Sequence, residues 1–453
     1  MKRLFKAAKN QHVRASAAAG LKGSGAMPNS GSPTVDNSTG ASEAVAVLSG
    51  RLGNALEHID IEGDFRSHLT SELDRLDSKA ACYANSSLAF CSSAQPWGCD
   101  WAEAELIALA WDCSLNVYGP TAPKTNADLA NAFGLTKLQL SIPCSITGDT
   151  KATNCTIFTP TKQPGDGDVR SPYLIIAIRG SAGTFDNIVN LNGEPRDASP
   201  LFAFGGIDYT SVTFHAHAGF LNSAIKLQYL LYPQIKSFLA GNSRGNVLFT
   251  GHSAGGAVAS LLHLSFRATF GYQFTGAMFS CITFGSPPVI KYMTPGDRLA
   301  VGGMIASARL LNIVNEYDLV ARSDRRYILS MVQLYNSTDP SEADAGVYGG
   351  SMPTAIIGGD GRPPWSLPEP ELFHIGPIVI LKVGTYNSEA QSARESSSAP
   401  KPPGSRLIMS AWQITPEELS KIIFCRLSVH SRTVYRDRIQ KLRNGQLNGE
   451  TGW

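Results

Sequence analysis

The chain has 453 residues, 43% of them hydrophobic, and its 39 basic and 37 acidic side chains leave a net charge of +2. That is apolar sequence enough for one large core or two ordinary ones, without a global basic field. Nucleic-acid binding is not indicated, because no stretch interleaves basic with aromatic residues, and no apolar run reaches the roughly 18 residues of a membrane-spanning helix.

Residues 1–45 differ from the rest in composition. Lys2, Arg3, Lys6, Lys9, Arg14 and Lys22 precede the first acid, Asp36, among Ala, Ser and Gly. This reads as a disordered basic tail, with organellar targeting as the alternative; secretion is less favoured because no apolar signal stretch is present. A cytoplasmic or peripheral-membrane protein is expected. Six of the eight cysteines (Cys82, Cys91, Cys99, Cys113, Cys144 and Cys155) fall before residue 156. No C-x-x-C occurs, so buried thiols are expected rather than a metal site.

From residue 170 to 385, strand-like apolar runs alternate with helical patterns. The expectation is one α/β domain over 46–445, with a largely parallel sheet and flanking helices. Its first strand, 173–178, leads into Arg179-Gly180-Ser181-Ala182-Gly183-Thr184, whose small residues let backbone N–H groups approach a ligand. The segment 192–214 then sets Leu201, Phe202 and Phe204 among Pro, Gly and Asp. His215 and His217 lack a third nearby ligand, so they read as structural, as does His252.

The run Val247-Leu248-Phe249-Thr250 reads as a buried strand and is followed by GHSAGG, then by a helical pattern from Gly255. A strand-to-helix reversal this sharp holds Ser253 in a strained conformation, and glycine two positions to either side avoids the collision. Such an elbow lifts the serine hydroxyl above the sheet as a nucleophile. The N–H groups of Ser181 and Ala254 are the candidate oxyanion hole, since parallel strands end on one edge of the sheet.

Two further strands are expected at 278–284 and 308–314. An acid just beyond the second fits the chain order Ser, Asp, His and points to Asp318, with Asp324 as runner-up. Two histidines compete for the base. His374 precedes a strand at 377–381, whereas His430 precedes the basic segment 432–443. Residues 385–405 (TYNSEAQSARESSSAPKPPGS) read as a low-complexity surface insertion.

The ordered segments IAIRGSAGTFDNIVNL, HAHAGF, LFTGHSAGGAVASLL, ITFGSPP and LNIVNEYDLV resemble the class 3 lipases, α/β-hydrolases that include fungal triacylglycerol lipases and diacylglycerol lipases. The similarity spans roughly residues 100–440, and it is greatest to the diacylglycerol lipase branch. The resemblance favours His430, within PEELSKIIFCRLSVHSRTVY, over His374, although secreted fungal lipases carry the base in a context nearer His374. It also implies that 192–214 is a lid whose Leu201, Phe202 and Phe204 bind substrate or meet lipid. The family usually has Thr at position 181 and Leu at 254, which leaves the backbone donors intact. The spanning helices of animal diacylglycerol lipases are absent.

The function expected is a Ser-His-Asp acylglycerol lipase acting at a membrane or droplet surface, with no cofactor and no metal. A phospholipase A1, a general carboxylesterase and a catalytically silent interaction scaffold are the alternatives.

Overall fold

The computed structural model describes residues 67–118, 135–138, 152–160, 171–180, 194–203, 214–306, 308–337, 362–385 and 407–447. All lie within the compact unit 43–453. The tail 1–45, Ser181, Phe204, Cys144 and nearly all of the insertion 385–405 lie outside the described residues.

The strands are β1 (Gln95–Pro96), β2 (Leu135–Leu138), β3 (Thr153–Pro160), β4 (Tyr173–Ile178), β5 (Pro195–Asp197), β6 (His215–His217), β7 (Asn246–His252), β8 (Met278–Phe284), β9 (Ile290–Lys291), β10 (Arg309–Asn315), β11 (Ile378–Thr385) and β12 (Leu407–Ile414). Nine of them form one sheet in the order β1-β12-β11-β10-β8-β7-β4-β3-β2, and β5, β6 and β9 form a second, small one. The five central strands, from β4 through β7, β8 and β10 to β11, pair in parallel. The flanking pairs at both edges are antiparallel. This is an α/β-hydrolase fold.

The helices are α1 (Ser67–Ala80), α2 (Trp101–Asn116), α3 (Ala218–Gly241), α4 (Ala254–Phe270), α5 (Pro295–Ile305), α6 (Arg325–Asn336), α7 (Pro416–Leu419) and α8 (Arg432–Arg443). Successive side chains of a strand face opposite ways, so the central strands feed two cores. Leu174, Ile176, Val247 and Phe249 pack on one face with Leu227 and Leu231 of α3 and Val258 and Leu262 of α4. Ile175, Ala177, Leu248 and Ile313 pack on the other with α2 and with Tyr435 and Ile439 of α8. A strand apolar on both faces has no polar alternation, which is why these runs read as strands by length and β-branching alone.

The expected strands at 173–178 and 278–284 match β4 and β8. The strand expected at 377–381 extends to Thr385 and pairs with β12, a strand that sequence reading missed. The helix α2 was missed as well. Eleven of its 16 residues are buried, on all sides, so no amphipathic stripe marks it. The seven described cysteines are free thiols. No described helix is long and apolar enough to cross a membrane.

Candidate active site

Because β4, β7, β8 and β10 run in parallel, the loops after them meet at one edge of the sheet. Ser253 sits between β7 and α4 with φ 59° and ψ −135°, left-handed backbone that costs a non-glycine residue about 1–3 kcal/mol. Its neighbours enforce that turn. A Cβ on Gly251 would overlap the backbone of Gly255, and one on Gly255 would overlap the carbonyl oxygen of Ile178. The Ser253 N–H donates to the carbonyl of Phe284 at 2.8 Å, tying the elbow to β8. No side chain caps α4, which begins at the buried Ala254, so the positive end of its dipole is available to an anion. The partner proposed with Ala254, Ser181, lies outside the described residues.

Asp318 lies in the turn after β10 and is fully buried. The residue before it, Tyr317, has φ 74°, a second strained position at this edge. Three groups donate to the Asp318 carboxylate. They are the Val320 N–H at 2.9 Å to Oδ1, the Tyr435 hydroxyl at 2.7 Å to Oδ2, and His430 Nδ1 at 2.9 Å to Oδ2. Burial, and then the Asp318 charge, push the Tyr435 hydroxyl well above its usual range, so it stays a donor. The Asn315 N–H donates to the same Tyr435 oxygen at 3.0 Å.

His430 is 2% exposed and occupies a 3₁₀ turn, Ser428–His430, just ahead of α8. The bond to Asp318 puts its proton on Nδ1. Its Nε2 is buried without a hydrogen-bond partner, so a neutral His430 holds a bare lone pair there. The loop is held from two sides, by Asn315 Nδ2 donating to the Val429 carbonyl at 2.8 Å and by the Arg426 N–H donating to the Tyr317 carbonyl at 2.9 Å.

The other candidates are elsewhere. His374 Nε2 donates to the Ala321 carbonyl at 2.8 Å, and burial pushes its pKa down to about 4. It is therefore a neutral, satisfied core histidine. Asp324 caps α6 through the Tyr327 N–H at 2.9 Å. Leu201 and Phe202, two of the residues expected in a lid, are buried. They are 0% and 5% exposed, Phe202 lies edge-on to Phe214 at 5.3 Å, and Gln228 and Ser265 both donate to the Leu201 carbonyl. Helices α3 and α4 supply the apolar neighbours that the local sequence lacks. Their packing ties Leu201 and Phe202 to the core. Among the described residues, no group of three His, Cys, Asp or Glu side chains could hold a metal ion.

Sequence reading missed Gly285, which follows β8 with φ +56°. A Cβ there would lie 2.8 Å from Tyr435 Oη, 2.9 Å from Asp318 Oδ2 and 2.9 Å from His430 Nδ1. The GSP that follows β8 was the available signal. Gly285→Ala is expected to lower turnover of a soluble ester by roughly 10²-fold, the effect of displacing a reacting group by about 1 Å, and to lower the melting temperature. Unchanged kinetics would show that the acid–base pair absorbs the methyl group without moving.

Residues 175–327 match the class 3 lipase family. The chain is similar to secreted mono- and diacylglycerol lipase 2 of Gibberella zeae, 27% identical over 28% of this chain and 32% of that protein. It is likewise similar to lipase A of Sodiomyces alcalophilus, 28% identical over 37% and 40%. The chain thus spans about a third to two fifths of the curated relatives it matches. A solved Rhizomucor miehei lipase in complex with its propeptide aligns with a TM-score of 0.43 at 15% identity, covering 79% of this chain and 85% of that one. The stretch that matches the class 3 lipase family takes in both the Ser253 elbow and the Asp318 turn and stops short of His430.

Proposed function

We propose that the protein is a serine ester hydrolase that cleaves fatty-acyl esters of acylglycerols. The observation that carries this reading is the His430–Asp318 pair, whose Nδ1 is bonded to carboxylate while Nε2 is left unpartnered. A hydroxyl is a poor nucleophile near neutral pH and needs such a lone pair to take its proton. In the reaction, Ser253 Oγ attacks the ester carbonyl as His430 Nε2 accepts the hydroxyl proton. The alkoxide of the tetrahedral intermediate sits at the Ala254 N–H and at Ser181. His430 then protonates the leaving alcohol, and water repeats the sequence on the acyl-enzyme. Asp318 orients the ring and stabilises the imidazolium, itself held by Val320 and Tyr435.

Diacylglycerol is the substrate class we favour, because the sequence resembles that branch and because one relative is named a mono- and diacylglycerol lipase. The lipid would be met at a membrane or droplet surface.

Two measurements on the full chain test this. An alkyl fluorophosphonate should label Ser253 in the wild type and leave Ser253→Ala unlabelled. Lipid analysis of products from mixed di- and triacylglycerol emulsions should show free fatty acid from the wild type only, released faster from diacylglycerol. Absent labelling of a folded protein would favour an inert scaffold. Release from phospholipid alone would move the assignment to a phospholipase A1.

A further inference from the structure

Two side chains outside the acid–base pair connect three loops of the site. Tyr118 follows α2, and His252 is the fully buried last residue of β7. His252 Nε2 lies 3.1 Å from the carbonyl oxygen of His430, and its Nδ1 lies 3.1 Å from Tyr118 Oη. The Gly180 N–H, at the end of β4, donates to the same Tyr118 oxygen at 3.1 Å.

Donor and acceptor chemistry fixes each proton along this path. A carbonyl only accepts, so His252 Nε2 must carry the hydrogen. Burial, and then the closeness of His430, hold His252 well below the usual histidine range, so the ring is neutral and its Nδ1 has only a lone pair. Tyr118 must therefore donate its hydroxyl hydrogen to Nδ1 while accepting from Gly180. The direction runs from Gly180 through Tyr118 and His252 to the backbone of His430, with no alternative arrangement.

Packing leaves these groups no slack. The His252 ring stacks on the His430 ring at 4.6 Å and 27°, and Trp111 meets His252 edge-on at 5.7 Å. The Arg432 guanidinium covers the Tyr118 ring at 4.4 Å. A Cβ on Gly180 would overlap Tyr118 Oη and would lie 2.6 Å from the carbonyl of His252 and 3.2 Å from Ser253 Cβ.

We propose that Tyr118 and His252 are positioning residues that lock the His430 loop and the Gly180 backbone to the Ser253 elbow. The inference rests on the serine-hydrolase reading above. Neither residue is assigned contact with substrate. His252 acts through the His430 backbone and ring, and Tyr118 acts through His252 and Gly180. One chain of hydrogen bonds thereby ties the backbone of the general base to the strand end beside the nucleophile.

The test uses three substitutions in the full chain. His252→Phe keeps a stacked ring and removes both hydrogen bonds. His252→Gln restores an N–H donor near the Nε2 position, and Tyr118→Phe removes only the hydroxyl. On soluble p-nitrophenyl butyrate, His252→Phe and Tyr118→Phe are expected to lower kcat about 10- to 100-fold with KM within about threefold, the signature of an interaction realised in the transition state. His252→Gln should recover at least about fivefold in kcat over His252→Phe. Nitrogen NMR of histidine-labelled protein at pH 7 should show His252 protonated on Nε2, with the Nδ1 resonance moving towards the unbonded value in Tyr118→Phe.

Wild-type kcat in both phenylalanine variants, with Ser253 still labelled by fluorophosphonate, would overturn the positioning role alone. So would equal losses in His252→Phe and His252→Gln alongside equal falls in melting temperature, which would mark a packing role. Failure of the wild type to label at Ser253 would instead remove the hydrolase reading, and the positioning role with it.

Discussion

Ser253→Ala is expected to lower ester turnover by roughly 10⁴- to 10⁶-fold, the range found when the nucleophile of such a unit is removed. The protein should stay folded. Alanine shares the Cβ that serine already places in the left-handed turn, so the backbone strain is unchanged, and Ser253 has no side-chain bond to the N-terminus of α4 that would be lost. The glycines that shape the elbow are untouched, and the Ser253 N–H bond to Phe284 is a backbone bond that alanine keeps. Thermal melting within about 2 °C of the wild type would confirm that only chemistry was removed. A folded variant with wild-type turnover would take the nucleophile away from the elbow altogether.

The second large effect separates the two histidines. His430→Ala should match Ser253→Ala in its loss, and the double variant should be no worse, because groups acting as one unit do not add. It also leaves the Asp318 carboxylate buried with two donors, Val320 and Tyr435, in place of three. His374→Ala should behave differently. It removes the donor to the Ala321 carbonyl, which costs about 1–3 kcal/mol for a buried group left unsatisfied, and turnover should stay within about tenfold of wild type.

A pH series gives an independent reading of His374. Its folded-state pKa of about 4 lies below the 6.5 of the unfolded chain, so between those values the unfolded chain binds the extra proton. Its contribution to stability is therefore present above about pH 6.5 and is lost as the pH falls towards 4. His374→Ala should flatten the fall in melting temperature across that window. An active His430→Ala enzyme beside an inactive His374→Ala enzyme would reverse the two roles.

Several features were legible in the residues themselves. The β-branched runs at 173–178 and 278–284 are short, continuous and bounded by turn residues, so strand was the conformation that local propensity and length both favoured. The elbow at Gly251 to Gly255 was legible for a steric reason. A strand that reverses directly into a helix has room for no side chain at either flank, and the sequence shows glycine at both. The order of the motifs likewise placed an acid beyond β10.

Other features depended on distant parts of the chain. The helix Trp101–Asn116 is buried between the sheet and α8, so its residues carry no polar stripe to mark a helix. Leu201 and Phe202 look isolated in sequence, yet their neighbours Phe214, Gln228 and Ser265 arrive from the residue before β6, from α3 and from α4. His374 and His430 are equivalent as sequence, each an imidazole ahead of a regular element. What separates them is where the chain brings the Asp318 carboxylate. Asn315 and Arg426 fasten the 425–430 loop to the turn after β10 and set His430 Nδ1 at 2.9 Å from the acid, while His374 is spent on a carbonyl. Residue type and local pattern determine which groups can ionise, turn or pair; hydrogen-bond distance between residues 112 positions apart is a property of packing alone.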